Sequence, residues 1–199
     1  MSGWINRVVM DLGYAGLALL TFLENIFPPL PSEIILPLGG FLVAQGQLSL
    51  IGVTLAGTLG SVGGGLALYF LGRQVRQERL AAWAERYGGW LLLTADDINE
   101  AFDWFGRHGT KAVFLARLVP GVRSLISIPA GACRMDLLPF LLYTTLGTAI
   151  WSAVLAYAGM ALGAEYGEFG RVLQWATYVV IAMTVLAVVR WGMKKRRRE

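Results

Sequence analysis

The sequence predicts an all-α polytopic membrane protein: an inverted repeat with two opposed re-entrant helical hairpins, about four full transmembrane helices and an amphipathic interfacial helix. Three observations lead there. Of 199 residues, 56% are hydrophobic and only 15% are charged, a balance that an ordinary soluble domain does not have. Apolar stretches at roughly 50–72, 138–162 and 172–192 each reach the ~20 residues that a spanning helix needs. Two further apolar segments, 28–48 and 111–133, carry prolines and charges that a lone lipid-facing helix does not tolerate.

Taken in order, residues 10–27 make a fourth, shorter span, ended by Pro28 and Pro29. Arg7 precedes it, but no small-residue cleavage site follows, so the segment reads as retained rather than as a leader. The stretch ENIFPPLPSEIILP, residues 24–37, then holds two glutamates with Pro28, Pro29, Pro31 and Pro37 in surroundings as apolar as lipid. Segment 73–110 carries Arg73, Arg76, Arg79, Arg86 and Arg107, with Lys111 just beyond, whereas the 163–170 loop carries Glu165 and Glu168 and no base. Counting Lys and Arg places segment 73–110 and the basic tail 193–199 in the cytoplasm. Within it, TADDINEAFDWFGRHG has Thr94 as N-cap with Asp97 three residues later, and Ile98, Phe102 and Phe105 on one face, as an interfacial helix would. With both ends of the second half inside, segment 111–133 must enter and leave from the cytoplasm, and segment 28–48 from the opposite face.

A repeat supports this arrangement. Pro28 and Pro37 are nine apart with Gly39 two further on; Pro120 and Pro129 are nine apart with Gly131 two further on. A long apolar helix follows each copy, giving repeats at 10–72 and 111–162 and a C-terminal helix at 172–192. Broken segments in corresponding positions of two halves point to a site near the midplane where the breaks meet.

The charges in those segments are Glu24 and Glu33 in one half and Arg117 and Arg123 in the other. An ionisable group at the bilayer centre costs about 2.5–3.5 kcal/mol on insertion scales, so each needs a partner. Acids of one hairpin pairing with guanidiniums of the other would staple the halves together. The same groups suit chemistry as well. Two guanidinium forks around Pro120 and Gly121, with turn amides beside them, fit a phosphate. Carboxylates in a low-dielectric pocket hold protons more readily unless paired, and could exchange them. The remaining polar features read as packing or as interface. Gly60-x-x-x-Gly64 suits close helix contact, Arg134 and Asp136 suit an interfacial ion pair or headgroup contact, and Tyr143, Thr144, Thr145 and Trp151 pack or line the groove.

The net charge of +4 sits in the tail and the central segment without interleaved aromatics, which argues for a membrane surface rather than nucleic acid. A single cysteine, Cys133, and a single histidine, His108, leave no basis for a disulfide, a metal centre or a cofactor. Nothing sets an oligomeric state.

The runs ENIFPPLPSEIILPLGG from Glu24, YFLGR from Tyr69, FLARLVPGVR from Phe114, PAGACRM from Pro129 and FLLYTTLGTAIW from Phe140 closely resemble the DedA family of bacterial inner-membrane proteins, over about residues 10–165. The resemblance implies the fold of opposed re-entrant hairpins shared with eukaryotic lipid scramblases. It further implies return of undecaprenyl phosphate from the outer to the inner leaflet for cell-envelope synthesis, coupled to the proton motive force. The acids that the family needs fall on Glu24 and Glu33, and its arginines on Arg117 and Arg123. One departure is Gly65, which stands where many members carry an acid. Alternatives are an ion or solute antiporter, a less specific phospholipid scramblase, a lipid phosphatase and a scaffold. The phosphatase is disfavoured because its chemistry calls for a nucleophile with a base, or a metal.

Overall fold

The computed structural model describes residues 3–26, 32–75, 95–119 and 122–163. They form seven helices, with no strand among the described residues: α1 (Gly3–Leu12), α2 (Tyr14–Ile26), α3 (Ser32–Ala44), α4 (Leu50–Arg73), α5 (Ala95–Arg117), α6 (Ser127–Ala132) and α7 (Leu137–Leu162). Thr94, Pro28, Pro29, Pro31, Pro120, Gly121, the 172–192 helix and the basic tail lie outside the described residues.

Among the described residues two helices, α4 and α7, are long and apolar enough to cross a bilayer. Their surfaces are inverted relative to a soluble protein. On α7, Leu138, Leu142, Leu146, Ile150 and Val154 recur every four residues and are exposed, whereas Thr144, Thr148, Ser152 and Gly147 are buried. On α4, Ile51, Leu55, Leu59 and Leu71 face outward while Thr58, Ser61 and Gly57 face inward. Water would penalise so much contiguous apolar surface; lipid accepts it. The chain is an all-helical membrane protein.

The expected span over 10–27 is divided. Gly13, at φ +55°, ends α1 and turns the chain into α2, a helix of 13 residues. At 1.5 Å per residue that is about 20 Å, short of the ~30 Å hydrocarbon core. α1 is amphipathic instead, burying Ile5 and Val9 and exposing Arg7, Met10 and Asp11.

What α2 does is set by α4, along which the two lie parallel. The Ser49 amide donates to the Tyr14 phenol oxygen at 2.8 Å, and the Ser49 side chain caps α4 by accepting from the Gly52 amide at 3.1 Å. Further along, Gly60 lies against Ala18 and Thr21, and Gly64 against Asn25. α3 then returns, with Leu36 against Gly57 and Gly39 against Val53 and Leu17. So α2 and α3 are the two arms of one hairpin, based at the N-terminal end of α4 and reaching only as far as Gly64. The first arm is described to Ile26 and the second from Ser32, and in the segment expected to hold both arms, 28–48, the described residues form one helix, with Pro37 inside it.

The second hairpin mirrors the first. Its leading arm is α5, where the expected interfacial helix and the start of segment 111–133 form one uninterrupted helix of 23 residues. Phe105, Gly109, Val113 and Arg117 make its buried stripe at four-residue spacing. That packing outweighs the roughly 1 kcal/mol that each interior glycine costs a helix. The returning arm is α6, with Ser127 near Gly65, Ile128 and Gly131 against Gly72 and Tyr69, and the Tyr69 phenol donating to the Met135 carbonyl. This hairpin is based at the C-terminal end of α4. The two therefore approach α4 from opposite ends and meet at Gly64 and Gly65.

Each returning arm crosses the other repeat's long helix. α3 packs on α7 and α6 packs on α4, and both crossings are backbone against backbone. A Cβ on Gly40 would overlap the Ala156 carbonyl, one on Gly159 the Pro37 carbonyl, one on Gly131 the Tyr69 carbonyl, and one on Gly72 the Ile128 carbonyl. Gly131→Ala is expected to push α6 off α4 and cost about 1–3 kcal/mol, as overpacking does. Gly106→Ala, where a Cβ meets nothing within 4 Å, should instead gain up to about 1 kcal/mol of helix propensity. Thermal unfolding of both variants in one detergent checks the contrast; equal melting temperatures would contradict it.

Candidate functional site

Where the hairpin tips meet, the membrane-facing logic reverses and charge is buried. Glu24 and Asn25 come from the last turn of α2, Arg117 from the last turn of α5, and Arg123 and Ser127 from the second tip and the start of α6. Glu24, Arg117 and Arg123 are each 5% exposed or less. Their positions follow from local sequence. Helix α2 turns Thr21 and Asn25 to α4, where Gly60 and Gly64 leave room for them, and buries Glu24 beside Asn25. Thr21 and Asn25 bond to carbonyls one turn back at 2.9 Å and 3.0 Å, which locks that face.

Glu24 and Arg123 form an ion pair across the two hairpins. The Arg123 guanidinium also lies 5.9 Å from the Trp151 ring centroid on α7, within reach of a cation–π contact. Arg117 is held differently. Its Nη2 donates to Ser127 Oγ at 2.7 Å and its Nη1 to Asn25 Oδ1 at 3.3 Å, both neutral, while its Nε finds no acceptor among the described residues. A donor left unpaired in such a site costs about 1–3 kcal/mol, more for a charged group.

Gly65 explains why Arg117 can sit there. A Cβ at that position would lie 2.6 Å from Arg117 Nη2 and 3.4 Å from Ser127 Oγ. An acidic side chain at 65, as the resembled family often carries, would be placed beside this guanidinium. Here the position contributes space and no charge. Gly147 on α7 does the same from the other side, against Arg117 Cβ.

The four charged residues singled out in the sequence are thus all buried, and three of them converge. Glu33, in the first turn of α3, is buried at 4% exposure but enters no hydrogen bond or ion pair among the described residues. Asn25 and Ser127 were not foreseen. An amide beside Glu24 within an apolar helix was a usable signal, since polar side chains at that depth seek partners; Ser127, in LISIPAG, had none. Pro37 and Pro129 lie in α3 and α6, and Gly131 is the backbone contact on Tyr69. Arg134, at φ +51°, and Asp136 are exposed and make no ion pair with each other; they border a cavity of about 280 Å³ between α5 and the exit of α6. His108 is exposed on α5, stacked on Trp104. Among the described residues no group of three or more His, Cys, Asp or Glu side chains could hold a metal.

Comparison with known proteins adds the following. The model of the VTT domain matches residues 30–161. The chain is 34% identical over 201 residues to a Staphylococcus aureus protein named undecaprenyl phosphate transporter A, covering 100% of this chain and 99% of that one. A Bacillus subtilis protein of the same name is 33% identical, covering 94% and 90%. A protein of Lactococcus lactis subsp. cremoris named alkaline phosphatase-like protein is 45% identical over 184 residues, covering 92% and 86%. No solved structure matches.

Proposed function

Because the chain belongs to the VTT-domain family, also called DedA, we propose that it is a transporter that moves a polyprenyl phosphate, undecaprenyl phosphate in the cell, between the leaflets of the bacterial cytoplasmic membrane. The observation that carries this is Arg117, a buried guanidinium whose bonded partners are neutral and whose Nε finds no acceptor among the described residues. Arginine stays charged at any physiological pH, so the site needs an anion to complete it. A lipid phosphate supplies the oxygens that a guanidinium fork takes in pairs.

In this reading the two hairpins enter the membrane from opposite faces and hold the headgroup between their tips, with the basic tail on the cytoplasmic side. Arg117 receives the phosphate first. Arg123 joins when Glu24 takes up a proton and lets go of it, and loss of that proton restores the ion pair and releases the lipid. Glu33, buried and with no hydrogen bond or ion pair among the described residues, is the second proton-exchanging acid. The relatives named as undecaprenyl phosphate transporters support the choice of lipid.

The phosphatase-like name of the Lactococcus relative favours a second reading, hydrolysis of the lipid phosphate. Ser127 is the hydroxyl bonded to Arg117, but its oxygen accepts from that guanidinium, and Glu24, the carboxylate of the site, is paired with Arg123. A serine so placed lacks the base that would activate it.

One experiment separates the two. Purified protein in vesicles, with polyprenyl phosphate in the outer leaflet, should speed its appearance in the inner leaflet at least tenfold over protein-free vesicles, and faster still under a pH gradient. Release of inorganic phosphate at a matching rate would overturn transport in favour of hydrolysis.

A further inference from the structure

Hydroxyl side chains inside membrane helices ordinarily bond to the carbonyl one turn back, as Thr21 and Thr58 do here, at 2.9 Å and 2.7 Å. Thr144, Thr148 and Ser152 on α7 and Ser61 on α4 do not. All four are buried at 2% exposure or less, and none finds a partner among the described residues. Trp151 Nε1 and Arg117 Nε share that condition.

These groups lie along one seam. Residues 144, 148 and 152 follow each other at four-residue spacing on the inward face of α7, and Gly57, Ser61 and Gly65 do the same on α4. Gly57 faces Ser152, where a Cβ would lie 3.2 Å from its Oγ, and Gly65 faces Arg117, which in turn packs on Gly147. Ser61 therefore stands opposite the middle of the ladder, at the level of Thr148. Glycines at both ends leave room, and Trp151, beside Ser152, lies against Arg123 of the ion pair.

We propose that this seam is an internal water site, a file of water molecules between α4 and α7 that links the Ser152 level to the Glu24–Arg123 pair. The spacing decides in favour of water over a headgroup. Eight residues of helix span about 12 Å, farther than one phosphate bridges, and each hydroxyl can both accept and donate, as a water file requires. The indole and guanidinium nitrogens only donate, so they orient water oxygens. In use, which rests on the proton-coupled function proposed above, a hydronium proton entering at Ser152 is passed on as each water or hydroxyl accepts one proton and gives up another. The last is given to the Glu24 carboxylate, which becomes neutral as Arg123 is released. The other buried charged groups among the described residues are Arg117, which lies against Gly65 and Gly147 of the seam, and Glu33 in the first turn of α3.

Two measurements test the seam. Hydroxyl radicals generated by an X-ray pulse from bound water should label Trp151 in the wild type. Thr148→Val/Ser152→Ala should cut that label at least fivefold, and Thr148→Ser should keep it. An equal label in the valine–alanine variant overturns the water file, whatever the transport result. In vesicles, the acceleration of polyprenyl phosphate uptake by a pH gradient should vanish in the valine–alanine variant, while the Kd for a short-chain polyprenyl phosphate stays within twofold. Full acceleration in that variant overturns the assigned use. A wild-type protein that labels at Trp151 yet moves no lipid sinks the transport function and upholds the water site.

Discussion

Arg117→Ala should lower polyprenyl phosphate uptake at least a hundredfold while leaving the protein folded. The guanidinium is buried at 2% exposure and bonded to Ser127 and Asn25. Truncating it leaves behind a hydroxyl and an amide but no unpaired charge, so the stability loss stays on the scale of ordinary hydrogen bonds, about 1–3 kcal/mol. The loss of binding is larger. Removing one partner of a desolvated charge pair costs about 2–5 kcal/mol or more, which is roughly thirtyfold to several thousandfold. Arg117→Lys should not rescue it, because a single ammonium cannot bond Asn25 and Ser127 together and still present a fork to phosphate. Uptake rates and melting temperatures for both variants, in the same vesicles and detergent, check this. Uptake by Arg117→Ala within threefold of wild type would remove Arg117 from the phosphate site.

Glu24→Gln should be the most destabilising single change in the site, and its repair should separate fold from function. Alone it leaves Arg123 buried without its counter-charge, which costs about 3–5 kcal/mol. Adding Arg123→Met replaces the pair by neutral groups of similar length that still cover Trp151, and such replacements are often neutral or stabilising. The double variant should therefore recover most of the lost melting temperature and still fail to transport. Recovery of transport with stability would show that Glu24 and Arg123 are only a staple between the hairpins.

That an acid of one half would meet a base of the other was legible in the sequence because charge is scarce at that depth; that Glu24 would take Arg123 was not. With two acids in one half and two bases in the other, the cost of burial favours pairing across the halves, and one of the two possible pairs forms among the described residues. The partners of Arg117 were not legible for the opposite reason: asparagine and serine are common, neutral and satisfied in many ways, and Gly65, standing where many family members carry an acid, has no side chain to point to them. The long helices α4 and α7 followed directly from hydropathy. Element boundaries followed less well. Gly13 turns the chain inside a run that reads as one span, whereas Gly106 and Gly109 interrupt nothing, because the stripe Phe105, Gly109, Val113 and Arg117 is buried as a unit. Whether a glycine breaks a helix is decided by the neighbours it meets, and those are distant in sequence.

The glycine crossings of the returning arms carry a mechanical consequence. Because a Cβ at Gly40, Gly72, Gly131 or Gly159 would run into the facing backbone, each crossing fixes how closely its two helices approach, α3 to α7 and α6 to α4. Side chains interlock beside both, with Leu38, Leu42 and Ala156 in one buried cluster and Tyr69, Ala130 and Phe140 in another. An added methyl at either crossing must therefore displace a whole arm, and the tip that the arm carries moves with it.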